Sequence, residues 1–141
     1  MQLVLLAGDL GPRWFHIALR ALVLIAQSSE PLSSSTIAST LQADSTYIRK
    51  IMSRLAKGNL TATVAGRYGG YYLLRSPEEI TVLDVYQTLV QTEPVQYDSV
   101  PQTGSEHMIS MIITSAEKQF QATLKKFTIM DLVNSMELSQ N

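Results

Sequence analysis

Residues 44–58 read Asp-Ser-Thr-Tyr-Ile-Arg-Lys-Ile-Met-Ser-Arg-Leu-Ala-Lys-Gly, and residues 60–75 read Leu-Thr-Ala-Thr-Val-Ala-Gly-Arg-Tyr-Gly-Gly-Tyr-Tyr-Leu-Leu-Arg. At the helical period the first run gathers Ile48, Ile51, Met52 and Leu55 on one side. It gathers Thr46, Lys50, Ser53 and Lys57 on the other, with Tyr47, Arg49 and Arg54 at the flanks. The apolar side faces a core. The outward side carries hydroxyls and cations and no acid after Asp44. The Asp44 carboxylate suits an N-cap, accepting from a backbone N–H near Thr46 or Tyr47, and Gly58-Asn59 supplies the stop. In the second run, Leu60–Val64 is rich in β-branched residues, Ala65–Gly70 is a glycine-rich turn, and Tyr71–Arg75 is a second strand. These predict a β-hairpin whose register stays open, ended by Ser76-Pro77.

Upstream, the serines at 33–35 offer N-caps to a short helix with Ile37, Ala38 and Leu41 as its apolar stripe, and Gln42-Ala43 is a tight connection. Two short helices joined this way have the geometry of a helix-turn-helix. Before them, Gly11-Pro12 sets a proline at a helix start. From Arg13 to about Gln27, the polar residues Arg13, His16, Arg20 and Gln27 recur on one side. Trp14, Ile17, Ala18, Ala21, Leu22, Leu24 and Ile25 cover most of the rest, predicting a helix buried on a wide face. His16 falls on the exposed side and reads as a surface residue.

Downstream of the hairpin, Thr81 can cap a helix of Val82, Leu83, Val85, Tyr86, Leu89 and Val90, on which Asp84 reads as a solvent-facing residue. Pro94, Pro101 and Gly104 mark 92–104 as a loop. A long helix follows from Ser105 to about Phe127, with Ile109, Ile112, Ile113, Ala116, Phe120, Leu124 and Phe127 as its stripe and Met108 and Met111 widening it. Thr128 to Met136 suit a last short helix, and 137–141 a frayed tail. The fold class is mainly α with a small β-hairpin wing.

The chain has 141 residues and 45% apolar content, enough for one domain with a real core. It contains no cysteine, which excludes disulfides, thiolate zinc sites, cysteine-ligated clusters and any cysteine nucleophile. Its two histidines, His16 and His107, are too far apart in sequence to suggest a histidine-rich metal site. The most apolar run, Ile17 to Ala26, is interrupted by Arg20 and is too short to span a bilayer. Met1 to Ala7 has no cationic leader, so no signal peptide is expected and the expected location is the cytoplasm. We find no nucleophile–base pair, no metal-ligand spacing and no paired carboxylates in a buried context, so an enzyme is not expected.

The net charge of −1 conceals an asymmetry. Residues 44–75 hold six cations against Asp44 alone, for +5, whereas 76–141 hold three lysines against nine acids, for −6. The middle segment is either the footprint of a polyanion or a solvated face balanced in space by the acidic remainder. A major groove admits one helix. There lysine and arginine neutralise phosphates, arginine can also grip guanine, and Thr, Ser and Tyr can reach base edges. Arg67 at a glycine-rich tip can enter a narrow minor groove. The glycine run joins strand to strand and matches no nucleotide-binding fingerprint.

The order of helix, short helix, Asp-Ser-Thr-Tyr-Ile-Arg helix, Gly66-x-x-Gly69-Gly70-Tyr71 wing and Pro77-Glu78-Glu79-Ile80-Thr81 resembles the Rrf-two family. These are bacterial winged helix-turn-helix regulators of the IscR/CymR type. The likeness is clear from Arg13 to Val90 and weaker through Phe127–Leu132. It implies a DNA-binding domain over 11–91, a loop over 92–104, and over 105–136 a dimerisation helix with a short C-terminal helix. The implied function is a sequence-specific regulator, a repressor, binding a pseudo-palindromic duplex as a homodimer. The candidate DNA surface is Ser45, Thr46, Tyr47, Arg49, Lys50 and Ser53 with Gly66, Arg67, Tyr68, Gly69 and Gly70. The candidate dimer surface is Ile109, Ile112, Ile113, Ala116, Phe120 and Leu124.

Three departures from the family stand out. Arg49 occupies a position that is often acidic or neutral in relatives, so their half-site cannot be transferred. Ala65 stands where a basic residue is common, and Arg67 can take its role. Where cluster-binding members carry cysteines, the loop offers only Glu93, Asp98, Glu106 and His107, which read as loop residues rather than metal ligands. No cofactor is expected, and the signal would be a small molecule, a protein partner or nothing. The other reading of the same residues is a winged helix whose basic face docks an acidic protein.

Overall fold

The computed structural model describes residues 13–90 and 103–139, the last three by backbone alone. The expected loop at 92–104 and the Gly11-Pro12 start therefore lie mostly or wholly outside the described residues. The elements run α1 (Trp14–Gln27), α2 (Ser34–Leu41), α3 (Ser45–Lys57), β1 (Thr61–Val64), β2 (Gly70–Leu73), α4 (Val82–Leu89), α5 (Glu106–Lys125) and α6 (Ile129–Ser139).

The core is built around α1, whose Trp14, Ile17, Ala18, Ala21, Leu22, Val23 and Ile25 are buried. Against it pack Ile37 of α2, Ile48, Ile51, Met52 and Leu55 of α3, Leu60, Ile80, and Val85, Tyr86 and Leu89 of α4. The four apolar residues expected to face inward from α3 are all fully buried.

The turn between α2 and α3 is set by local chemistry. The Ser33 hydroxyl accepts from the Thr36 N–H at 3.1 Å and starts α2. Gln42 adopts a left-handed φ of 54°, and the Ala43 N–H then donates to the Ala38 carbonyl at 2.9 Å. The Asp44 carboxylate accepts from the Thr46 N–H at 2.9 Å and starts α3.

α3 ends at Lys57, and Gly58-Asn59 supplies the stop as expected. Gly58 is not left-handed; Asn59 takes the positive φ of 61°. Gly58 is needed for space: a Cβ there would lie 2.3 Å from the Thr88 Cγ2 of α4. The glycine lets α3 and α4 touch.

β1 and β2 are antiparallel, with Thr61 opposite Leu73 and Val64 opposite Gly70. The second strand ends two residues earlier than expected. Its outer edge is bridged by Leu32, whose N–H donates to the Tyr71 carbonyl at 3.0 Å while the Tyr71 N–H donates back at 2.7 Å. Gly70 sits at this crossing, where a Cβ would come within 2.3 Å of the Leu32 carbonyl carbon. The wing is thereby fastened to the segment that enters α2.

Asp84 is more than a solvent-facing residue. Its carboxylate accepts from the Thr81 N–H at 2.9 Å while the Thr81 hydroxyl accepts from the Asp84 N–H at 3.0 Å, a reciprocal capping box. It also faces the Arg75 guanidinium at 3.6 Å, and Arg75 donates to the Glu79 carbonyl at 2.9 Å. Thr128 and Asp131 repeat the box at the start of α6, which continues to Ser139 rather than ending at Met136. The two helix starts are tied by Val82 N–H to Phe127 carbonyl at 2.8 Å and Ile129 N–H to Ile80 carbonyl at 2.9 Å.

The long helix α5 buries no residue completely. Phe120 and Leu124 are partly covered and touch the core. Phe120 meets Tyr86 edge-on at 4.9 Å, and Tyr86 in turn meets Phe15 and Trp14. The expected stripe is thus divided. Phe120 and Leu124 lean on this chain, while Ile109, Ile112, Ile113 and Ala116 are exposed, as is Phe127 just beyond the helix end.

Candidate nucleic-acid interface

With its apolar side buried, α3 turns Thr46, Arg49, Lys50, Ser53 and Lys57 to solvent, while Ser45 and Tyr47 are half-buried. The Arg49 guanidinium donates to the Thr46 hydroxyl at 3.2 Å, so the two project together from the first turn. Burial pushes the Tyr47 phenol above its ordinary pKa, against the opposing pull of nearby Arg13. That phenol therefore stays protonated and able to donate.

Two of the six cations of the basic segment are turned to structural work. Arg54 donates to the Leu89 carbonyl at 3.3 Å, joining α3 to the end of α4. Arg75 is held by Asp84 and the Glu79 carbonyl. The other four, Arg49, Lys50, Lys57 and Arg67, are exposed.

At the hairpin tip the Gly69 N–H donates to the Gly66 carbonyl at 3.1 Å, and Gly66 has a φ of 109°. This tight turn projects Arg67 and Tyr68. Tyr68 is 84% exposed, and the Arg67 guanidinium lies 5.7 Å from its ring centroid. Tyr68 there offers an apolar ring and a phenolic hydroxyl to whatever the tip meets. Gly66, Arg67, Tyr68 and Gly69 form the tip. Gly70 opens β2 opposite Val64, directly after the tip, and packs on Leu32.

Sequence reading treated Arg13, His16 and Arg20 only as the solvent side of α1. The structure places all three on one wall of a cleft of about 580 Å³, whose other wall is Gln42, Asp44 and Tyr47. Their spacing was visible along the chain, but nothing local revealed that this side of α1 borders the start of α3.

The far end of α5 shows how one loop acid is used. The Glu106 carboxylate accepts from the Gly104 N–H at 2.8 Å and from the N–H and hydroxyl of Thr103. The Thr103 amide leads the causes that hold it below the usual carboxylate range. Glu93 and Asp98 lie outside the described residues. Among the described residues no helix is long and apolar enough to cross a membrane.

A helix-turn-helix followed at once by a hairpin, on a mainly helical body, defines a winged-helix transcription regulator. The chain belongs to the Rrf2 family (the Rrf-two family), whose description is "Iron-dependent Transcriptional regulator" and whose match covers residues 13–135. It is 29% identical over 115 residues to Protein rrf2 of Nitratidesulfovibrio vulgaris, covering 79% of this chain and 77% of that one. Its fold is similar to that of T. potens IscR, with a TM-score of 0.73 at 23% identity over 91% of this chain and 88% of that one. It is similar also to CymR, the global cysteine regulator of B. subtilis, with a TM-score of 0.63 at 24% identity over 86% and 94%. The family is one of transcriptional regulators.

The family description names iron, so the donor set has to be tested. A conventional cluster of the family type needs cysteine thiolates, and this chain has no cysteine. Glu106 already caps the turn before α5. These residues do not fit a thiolate-held cluster.

Proposed function

We propose that the protein is a sequence-specific DNA-binding regulator acting as a homodimer on a two-fold-related site. The observation that carries this reading is the outer face of α3. It is hydroxyl- and cation-bearing and acid-free, and it stands beside a wing whose tip projects Arg67 and Tyr68. In the major groove, Thr46, Tyr47, Arg49, Lys50 and Ser53 reach base edges and phosphates. Ser45 at the first turn positions the helix on the backbone, and Arg67 at the wing tip enters the adjacent minor groove. Gly66 and Gly69 shape the tip, and Gly70 lets the strand behind it pack on Leu32.

Residues 13–90 form the DNA-binding unit in this reading, and α5 with α6 form the arm of assembly. The exposed Ile109, Ile112, Ile113 and Ala116 pair with a second copy, while Phe120 and Leu124 carry the arm on its own domain. A dimer seated in two successive grooves excludes other proteins from that DNA, so repression is its direct consequence. The protein works without an iron–sulfur cluster, because the chain supplies no thiolate for one.

Selection of random duplexes by the purified protein, followed by sequencing, tests this. The expected result is a two-fold motif with half-sites about one helical turn apart. Absence of any enriched motif, with a stable complex to an acidic protein instead, would replace the DNA reading with the protein-docking one.

A further inference from the structure

The α1 wall of the cleft between α1 and the α2–α3 turn is not used by the reading above. Arg13, His16 and Arg20 stand at i, i+3 and i+7 of one helix, all exposed, and all line it. No acid lies on that side of α1. The opposite wall holds Asp44, whose carboxylate is bound to the Thr46 N–H at 2.9 Å and so faces the positive end of α3. Beside it the Tyr47 hydroxyl lies within the field of Arg13. The cleft therefore presents two permanent cations, an imidazole and a phenolic donor at the edge of the surface that α3 offers to a groove.

We propose that Arg13, His16 and Arg20 form a third DNA contact, a clamp on the phosphates that flank the half-site read by α3. The spacing selects a strand over a lone anion. Arg13 and Arg20 are about 10.5 Å apart along the helix axis at 1.5 Å per residue. That length matches about three nucleotides of one strand at 3.4 Å each along the duplex, whereas a single small anion occupies a fraction of it. The position selects the flank over the bases. The Asp44 carboxylate turns phosphate away from the N-terminus of α3 itself, so the strand passes on the α1 side, with Tyr47 between clamp and groove.

This inference rests on the DNA-binding reading, and its test separates the two. The probe is the duplex recovered by selection, prepared with long flanks and also trimmed to the motif. Affinity is measured as a function of salt for wild type, Arg13→Gln/Arg20→Gln, Arg13→Lys/Arg20→Lys and the wing variant Arg67→Gln. Each phosphate contact contributes about 0.9 to the slope of log affinity against log salt. Because the dimer carries each substitution twice, the glutamine pair should lower the slope by about 3.6 on the long duplex and leave the preferred motif unchanged. The lysine pair should keep the wild-type slope, which also shows that the fold survives change at these exposed positions. On the trimmed duplex the wild type should fall to the slope of the glutamine pair.

A slope unchanged in the glutamine pair but lowered in Arg67→Gln would overturn the clamp and leave the DNA-binding reading standing. Failure of every form to prefer any duplex would overturn both. A rise in melting temperature with inorganic phosphate, present in wild type and lost in the glutamine pair without any change in slope, would assign the cleft to a free anion and overturn the clamp as well.

Discussion

Ile109 and Ile113 stand one turn apart on α5 and are 50% and 51% exposed. Complete burial of an isoleucine is worth about 1.5–3 kcal/mol. Covering the exposed half of each, less the part an alanine would keep, is worth about 1 kcal/mol per side chain. In a two-fold interface each substitution is made twice, so Ile109→Ala/Ile113→Ala removes four such contributions, about 4 kcal/mol in all. At 1.4 kcal/mol per decade the dimer Kd should rise about a thousandfold. Alanine is a better helix former than isoleucine, so the arm stays helical. Lys118→Ala, on the opposite side of the same helix, should leave the Kd unchanged. Sedimentation equilibrium over a wide concentration range reads all three proteins directly. An isoleucine-to-alanine pair that dimerises as tightly as wild type would refute the assignment of this face to a second copy.

Three further outcomes follow from the packing. The Thr61 hydroxyl is buried and has no hydrogen-bond partner among the described residues, so Thr61→Val should stabilise the fold by about 1 kcal/mol and raise Tm by about 4 °C; a lower Tm would mean the hydroxyl is satisfied in solution. Gly58→Ala drives a Cβ into Thr88 and should cost about 1–3 kcal/mol in urea unfolding. Thr88→Ala in the same chain should recover most of that loss, and strictly additive losses would show that the two positions do not touch. Burial, with Glu117 adding to it, holds the Tyr86 phenol above its ordinary value of 10.0. The unfolded chain then releases this proton first, so stability is complete below that pH and declines above it. Tyr86→Phe should flatten the alkaline decline in urea midpoints, and an unchanged decline would place its origin elsewhere.

Elements whose chemistry is local were legible in the chain. The Asp44 cap, the four inward residues of α3, the glycine-rich tip and the Thr81 cap each need only a few neighbouring residues to declare themselves. What escaped was set by distant partners. Gly58 is the helix stop the chain suggests, but nothing local shows that Thr88 lies against it. Arg54 and Arg75 count as part of a basic surface until Leu89, Glu79 and Asp84 are seen to hold them. The divided character of α5 depends on Tyr86, Phe15 and Trp14, which lie far back along the chain. Leu32 gives no strand signal, since its pairing with Tyr71 is an isolated bridge. The cation side of α1 was visible as a pattern, but only tertiary packing brings it to the edge of the candidate interface.

The central claim is that two copies of α3 lie in successive major grooves with a wing beside each. Dimethyl sulfate protection on the selected duplex tests this most directly, because the reagent methylates guanine N7 on the major-groove edge. The account expects two protected patches about one helical turn apart, with loss of protection in an Arg49→Ala/Lys50→Ala chain and intact folding by circular dichroism. Guanines that remain fully reactive on a duplex the protein demonstrably binds would contradict it.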